Sequence, residues 1–126
     1  MKKKFIALML FSALLLPASV SLAGSYSNWY EINAGMKTPF MDMGANKTVK
    51  VTTSPLRNDA GSGARVYLYL EKQTTFGFDV VSESWNYADR YDTSTQMKTT
   101  SKSGKYRVYF RNYTGNTMKA NFTINF

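Results

Sequence analysis

KYRVYFRNYTGNTMKANFTINF, Lys105 to Phe126, decides how the chain folds. In its first half Tyr106, Val108 and Phe110 alternate with Arg107, Tyr109 and Arg111. In its second half Met118, Ala120, Phe122, Ile124 and Phe126 alternate with Lys119, Asn121, Thr123 and Asn125. A period of two places one set of side chains on each face of an extended strand, so each half has an apolar face to bury and a polar face to leave in solvent. Thr114-Gly-Asn-Thr117 joins the halves with turn residues. The pattern predicts a β-hairpin whose apolar face is large enough for half of a sandwich core.

The same reading extends upstream. Trp29 to Asn33 fits a short first strand after a flexible start at Gly24 to Asn28. Gly35 to Asn46, with two glycines and Pro39, reads as a loop or an irregular edge segment. Lys47 to Thr53 alternates Val49 and Val51 against Thr48, Lys50 and Thr52, and Ser54-Pro55 is expected to end that strand. Asn58 to Gly63 is a loop of turn residues. Arg65 to Glu71 sets Val66, Leu68 and Leu70 against Arg65, Tyr67, Tyr69 and Glu71. Phe76 to Val81 is a further strand, with Gly77 as a bulge or close-packing point. Ser82 to Thr93, polar and aromatic, reads as a long loop, and Thr95 to Thr100 as a weak strand before a turn at Ser101 to Gly104. About seven short strands with turn signals between them predict a small antiparallel β-sandwich, of jelly-roll or immunoglobulin-like order.

Gly104-Lys-Tyr-Arg-Val-Tyr-Phe-Arg-Asn112, a turn, and Ala120-Asn-Phe-Thr-Ile124 resemble the last hairpin of bacterial secreted jelly-roll modules such as the pre-peptidase C-terminal domains. Those modules end Gly-x-Tyr-x-Val, then a turn, then a Tyr-Thr-Leu-like strand. Their acidic positions near the N-terminus have no counterpart here. The resemblance implies an accessory sandwich without catalysis.

The N-terminus sets the compartment. Lys2, Lys3 and Lys4 precede an uncharged apolar run from Phe5 to Leu16, Pro17 breaks it, and Ser21-Leu22-Ala23 is a small-x-small cleavage pattern. This is a secretory signal peptide by pattern, and cleavage after Ala23 leaves one domain of 103 residues, Gly24 to Phe126. The run is too short to span a bilayer comfortably, and no second one follows, so no transmembrane anchor is expected. There is no cysteine, hence no disulfide, and the domain must be held by its core alone. A cysteine-free secreted domain fits a bacterial exporter that does not depend on oxidative folding, as in Gram-positive cells.

The formal charge is +8, and three of its lysines sit in the leader, so the domain proper carries about +5. A basic extracellular protein is drawn to wall polymers, lipid headgroups and acidic polysaccharides. Scattered basic residues and an exported location argue against nucleic acid. The absence of histidine and cysteine removes Ser-His-Asp and Cys-His nucleophile systems and the usual zinc and copper ligand sets. No carboxylate pair stands in a motif for glycoside hydrolysis, so no catalysis and no cofactor are expected. Asp79, Glu83, Asp89 and Asp92 crowd 14 residues, but their spacing matches no calcium loop and they read as solvated charges.

The candidate site is a binding surface. Tyr67 and Tyr69 share the polar face of one strand with Arg65; Arg107, Tyr109 and Arg111 share that of another with Tyr113. If those strands are neighbours, they form a Tyr–Arg patch in which rings stack on sugar faces and guanidinium groups grip phosphate or carboxylate. Trp85, Tyr87 and Tyr91 add a second, loop-borne group. Trp29 reads as a core residue. The expected role is binding to an anionic cell-wall polymer or polysaccharide outside the cell. Two other readings are a secreted antimicrobial protein or bacteriocin, and a protease inhibitor acting through the Pro55 to Ala64 segment.

Overall fold

A computed structural model describes residues 24–89 and 91–126, and the leader read over Met1–Ala23 lies outside them. The described chain is all β, with no helix: β1 (Ser25–Ile32), β2 (Gly35–Lys37), β3 (Met41–Met43), β4 (Thr48–Asn58), β5 (Arg65–Gln73), β6 (Phe78–Tyr87), β7 (Thr93–Lys98), β8 (Gly104–Arg111) and β9 (Met118–Asn125). Every pairing is antiparallel. The first sheet has the order β1-β9-β4-β7; the second has β2-β8-β5-β6, with β3 also on β8. β2 and β3 lie against successive parts of β8, Gly35–Lys37 opposite Tyr109–Arg111 and Met41–Met43 opposite Gly104–Tyr106. They are one edge strand broken at Thr38-Pro39-Phe40, where proline offers no N–H to the ladder. Each sheet thus has four strand positions, and consecutive positions switch sheets except from β5 to β6. This is the double-sheet jelly-roll order, with nine strands rather than about seven.

The expected hairpin at Lys105 to Phe126 is not one. β8 belongs to the second sheet and β9 to the first, so the chain crosses the sandwich between them. Their apolar faces look at each other: Phe110 on β8 and Phe122 on β9 stand 4.5 Å apart, and Tyr30 of β1 closes the cluster at 5.2 and 6.1 Å. Around them Val49, Val51, Val66, Leu68, Leu70, Val108 and Ile124 are buried between the sheets. Burial pushes the Tyr30 phenol well above its usual value. The hairpin of this domain is β5–β6, and Gly77 lies in its turn, not at a bulge, with its carbonyl accepting from Thr74 N at 2.9 Å.

Three other segments depart from the sequence reading. β1 begins at Ser25, because Ser25–Ile32 pairs along its length with β9. β4 runs through Pro55 to Asn58, since β7 pairs with it only as far as Thr53 and beyond that point one edge of β4 is free for a proline. A register shift between Pro55 and Arg57 then turns Leu56 out to solvent. Ser82 to Tyr87 is strand, not loop. It was disguised by polar inward residues: Ser84 bonds Thr95, and buried Asn86 donates to Val51 O (3.3 Å), Thr53 Oγ1 (3.0 Å) and Thr93 O (3.3 Å). These bonds seal the side of the sandwich where the edges β6 and β7 meet.

The β8–β9 crossing is organised by Asn112, which is buried. Its Nδ2 donates to Ile32 O (3.0 Å) and Asn116 O (2.6 Å), its Oδ1 accepts from Thr114 N (3.0 Å) and Thr114 Oγ1 (2.7 Å), and its own N–H donates to Ala34 O (2.6 Å). Gly115 takes the positive φ that the tight loop needs. Asn112→Ala leaves several of these groups unpaired at a buried point and is expected to destabilise the domain by about 2–3 kcal/mol in urea unfolding, whereas a loss below about 0.5 kcal/mol would mean that the crossing is held by other contacts.

Candidate functional site

β5 sits between β8 and β6, so the polar faces singled out by alternation do become neighbours. Register orders them in rows on the outer face of the second sheet. Arg65 lies opposite Tyr87. Trp85, Tyr67 and Arg111 form the next row, and Glu83, Tyr69, Tyr109 and Lys37 the one after. Three inter-strand steps of ~4.8 Å make the face about 14 Å wide.

The rings are held by one another and by cations. The Arg65 guanidinium lies 3.9 Å over the Trp85 ring and 5.9 Å from Tyr87, which meets Trp85 edge-on at 4.8 Å. Tyr113, in the β8–β9 connection, packs edge-on against Tyr67 at 5.3 Å, and its hydroxyl bonds that of Tyr69 at 2.7 Å. Arg111 covers Tyr113 at 4.8 Å. Tyr69 and Tyr109 are 5.9 Å apart, and Lys37 lies 4.9 Å over Tyr109. Gly35 lets this happen: a Cβ there would come within 2.7 Å of the Tyr109 ring and 2.9 Å of Phe110 O. Tyr67, Tyr69, Glu83, Ser84 and Trp85 line a shallow hollow of about 360 Å³. Three of its lining residues are aromatic, and Glu83 adds a carboxylate.

Glu71 anchors one border of the face. Glu71 keeps the outward parity of Tyr67 and Tyr69, opposite Arg107 of β8, and the side chains lying over it bring its carboxylate to 2% exposure. Arg107 Nε donates to Glu71 Oε1 at 2.8 Å, and Lys37 Nζ lies 3.2 Å from the same oxygen. Phe40 and Phe78 flank the Arg107 guanidinium at 4.3 and 4.9 Å. Arg107 is therefore engaged within the protein, while Arg65 and Arg111 lie over rings at the surface.

Tyr67, Tyr69, Trp85, Tyr87, Arg107, Tyr109 and Arg111 share this face. Trp85 and Tyr87 reach it from β6, not from the loop expected for them. Tyr91 does not reach it. It is exposed at the end of the sandwich beside a separate hollow of about 440 Å³ formed with Pro55, Leu56, Arg57, Asn58 and Asp89. There Asp89 accepts from Gly63 N at 3.1 and 3.0 Å and from Asn58 Nδ2 at 3.3 Å, tying down the loop at residues 59–64. The Pro55 to Ala64 segment is thus part strand and part tethered loop. Among the described residues no group of acidic side chains is placed to hold a metal ion. Trp29, expected in the core, is 54% exposed on the outer face of the first sheet, near Lys119, because β1 turns Tyr30 and Ile32 inward instead.

Arg65 and Tyr113 belong to the site on the same parity as its other members. Lys37, Phe40, Phe78 and Glu83 could be added only by the topology, because nothing local to them reports which strands lie beside them.

No protein-family model matches the chain, and no curated protein matches it. Among solved structures it is similar to the crystal structure of PirA, with 10% identity over 83% of this chain and 94% of that one, at a TM-score of 0.45. It is also similar to that of the Yersinia pseudotuberculosis-derived mitogen YPM, with 11% identity over 82% and 86% and a TM-score of 0.41. Both likenesses are remote, and the site is defined by this chain's own side chains.

Two outcomes are expected from the geometry. Removing Lys37 and Arg107 together, each replaced by Met, strands a buried carboxylate and should cost about 3–5 kcal/mol in urea unfolding. Glu71→Gln should cost clearly less, because Arg107 and Lys37, at 19% and 35% side-chain exposure, can turn to water; equal losses would contradict this asymmetry. Second, the hydrogen bond between the Tyr69 and Tyr113 hydroxyls, with burial adding to it, pushes the Tyr69 phenol up to about 12, against about 10 for a free tyrosine. The unfolded chain then ionises first, so the contribution is complete below about pH 10 and is lost as the pH rises toward 12. Ultraviolet titration should show Tyr69 moving back toward its ordinary range in Tyr113→Phe, and an unchanged titration would rule out the phenol pair as its cause.

Proposed function

We propose that the protein is a secreted, non-catalytic binding module of bacterial origin that uses the outer face of its second sheet to hold an anionic cell-wall polymer or polysaccharide. The observation that carries this reading is the solvent-facing rows Trp85–Tyr67–Arg111 and Tyr69–Tyr109–Lys37. Ring faces on a flat sheet suit the C–H faces of sugars, which are apolar and planar enough to stack on aromatics. Arg65 and Arg111 lie at the borders of those rings, where their remaining N–H donors can take phosphate or carboxylate in bidentate fashion. Glu83 gives an acceptor for sugar hydroxyls. The rings already pack on one another, so little side-chain entropy is lost on binding.

In this reading Trp85, Tyr67, Tyr69 and Tyr109 stack on the ligand and Arg65 and Arg111 carry the charge contacts. Arg107 positions the sheet through Glu71, and Tyr113 positions Tyr69. The test is sedimentation of the chain with purified cell walls, before and after removal of their anionic polymers, at low and high salt. Trp85→Ala, Tyr67→Ala and Arg111→Ala are each expected to weaken binding about ten-fold or more, about 1.4 kcal/mol, with Trp29→Ala on the opposite sheet unchanged. Binding that all four variants retain, or that salt alone abolishes for every surface offered, would reduce the interaction to general electrostatic adhesion.

A further inference from the structure

The β5–β6 turn carries an apolar side chain with nothing to cover it. Phe76 is 100% exposed, and Phe78 and Val80 continue exposed apolar surface along β6. The Thr74–Gly77 hydrogen bond fixes the tight turn that holds Phe76 out. A ring in that position adds nothing to the core.

Register shows what surrounds it. Lys72 near the end of β5 lies opposite Tyr106, and Gly104 at the start of β8 lies opposite Met43. The β5–β6 turn, the loop at residues 44–47 and the loop at residues 99–103 therefore leave the sandwich at one end. The last two are bonded together, Asn46 N to Thr100 O at 2.7 Å and Lys47 N to Thr99 Oγ1 at 2.8 Å. This end holds Lys47, Lys72, Lys98, Lys102 and Lys105 against Asp42 and Asp79. Lys105 is paired with Asp42 at 3.1 Å, and no described carboxylate pairs with the other four ammonium groups. The loops at the other end, residues 33–34, 59–64, 88–92 and 112–117, hold Asp59, Asp89 and Asp92 with Arg90 as their single basic residue in sequence. The strand ends beside them add Arg57, Arg65, Arg111 and Lys119 against Glu31, with Arg57 paired to Asp59 and Arg65 and Arg111 lying over rings. The larger excess of positive charge, carried by unpaired lysines, lies where Phe76 protrudes.

We infer that this end docks the protein on an anionic lipid bilayer, with Phe76 entering the headgroup region and the lysines lying against the lipid charges. One ring on a rigid turn is too small a patch for a stable protein interface, which needs a contiguous apolar centre. It is enough to add to electrostatic adsorption, because lysines near an anionic membrane surface are held by the negative potential of its headgroups. Unpaired lysines on flexible stems match headgroups that are themselves mobile and offer no fixed geometry. The inference uses a different end of the molecule from the aromatic face and stands or falls separately from it.

The chain has no cysteine, so Phe76→Cys places one environment-sensitive fluorophore at the turn and Ser62→Cys one at the opposite end, both in the full chain. With vesicles of mixed phosphatidylglycerol and phosphatidylcholine, the label at 76 should shift to the blue and lose most of its quenching by iodide. Vesicles of phosphatidylcholine alone should leave it unchanged, added salt should reverse the shift, and the label at 62 should not respond. Each label reads its own position, whatever the N-terminal apolar run does at a membrane. A label at 76 that stays open to iodide while the chain sediments with vesicles overturns the inference. So does an equal response at 62 or on neutral vesicles. Burial of the label at 76 without vesicles also overturns it and makes the turn a contact between copies of the chain.

Discussion

Phe110 and Phe122 meet across the core, 4.5 Å apart, from strands that are consecutive in the chain but lie in opposite sheets. Once β8 and β9 pack face to face they cannot pair edge to edge, and each must find its hydrogen-bonding neighbours elsewhere. β9 takes β1 and β4; β8 takes β5 and the broken edge strand β2–β3. That second choice brings Tyr67 and Tyr69 beside Arg111 and Tyr109, residues about 40 positions apart in the chain. The aromatic face is thus a consequence of how the core is closed. Asn112 is the local device that makes the crossing possible, because its side chain satisfies backbone groups on both sides of the turn.

Glu71 shows how the same sheet manages charge. Carboxylates are rarely buried without partners, since desolvation exceeds what a single ion pair returns. Here the group lies on the outer face under a cover of side chains, and two cations from two other strands converge on one of its oxygens. The buried carboxylate therefore sorts the cations. Arg107 and Lys37 are fixed at one border, where they hold Phe40 and Phe78 in place. Arg65 and Arg111, which meet no buried carboxylate, lie over rings at the surface and keep donors for solvent or a ligand.

Alternation made the inside and outside of β5, β8 and β9 legible, residue by residue, because a strand with one buried face has no other solution. It could not say which strand lies beside which. An apolar face on Tyr106–Phe110 and another on Met118–Ile124 is the pattern of two strands in one sheet and equally of two strands facing across a core. The second half of β6, Ser82–Tyr87, does not read as strand because its inward positions Ser84 and Asn86 are polar, bonded to side chains and carbonyls of other strands. Pro55 stopped the reading of β4 because whether a strand edge is free to accept a proline depends on its neighbours. The Tyr–Arg face is legible on parity alone. Lys37 and Phe40 are not, since they come from edge segments with no periodic signal; Phe78 needs the neighbouring strand to place it, and Tyr91 is near Trp85 in sequence but not in space.

The two kinds of cation are used differently, and their chemistry matches where each is found. The solvent-facing cations over the rings near Trp85 and Tyr113 are arginines, whose planar groups stack on Trp85 and Tyr113 and still offer directed donors. The unpaired cations at the Phe76 end are lysines, Lys47, Lys72, Lys98 and Lys102, compact charges on flexible stems. A surface that must read the shape of a polymer needs fixed geometry, which stacked guanidinium groups supply. A surface that meets a fluid layer of charge needs only sign and reach, which lysines supply with less ordering. Composition alone, as a net positive charge, hides this division. It appears only when register assigns Arg65 and Arg111 to a face and the lysines to an end.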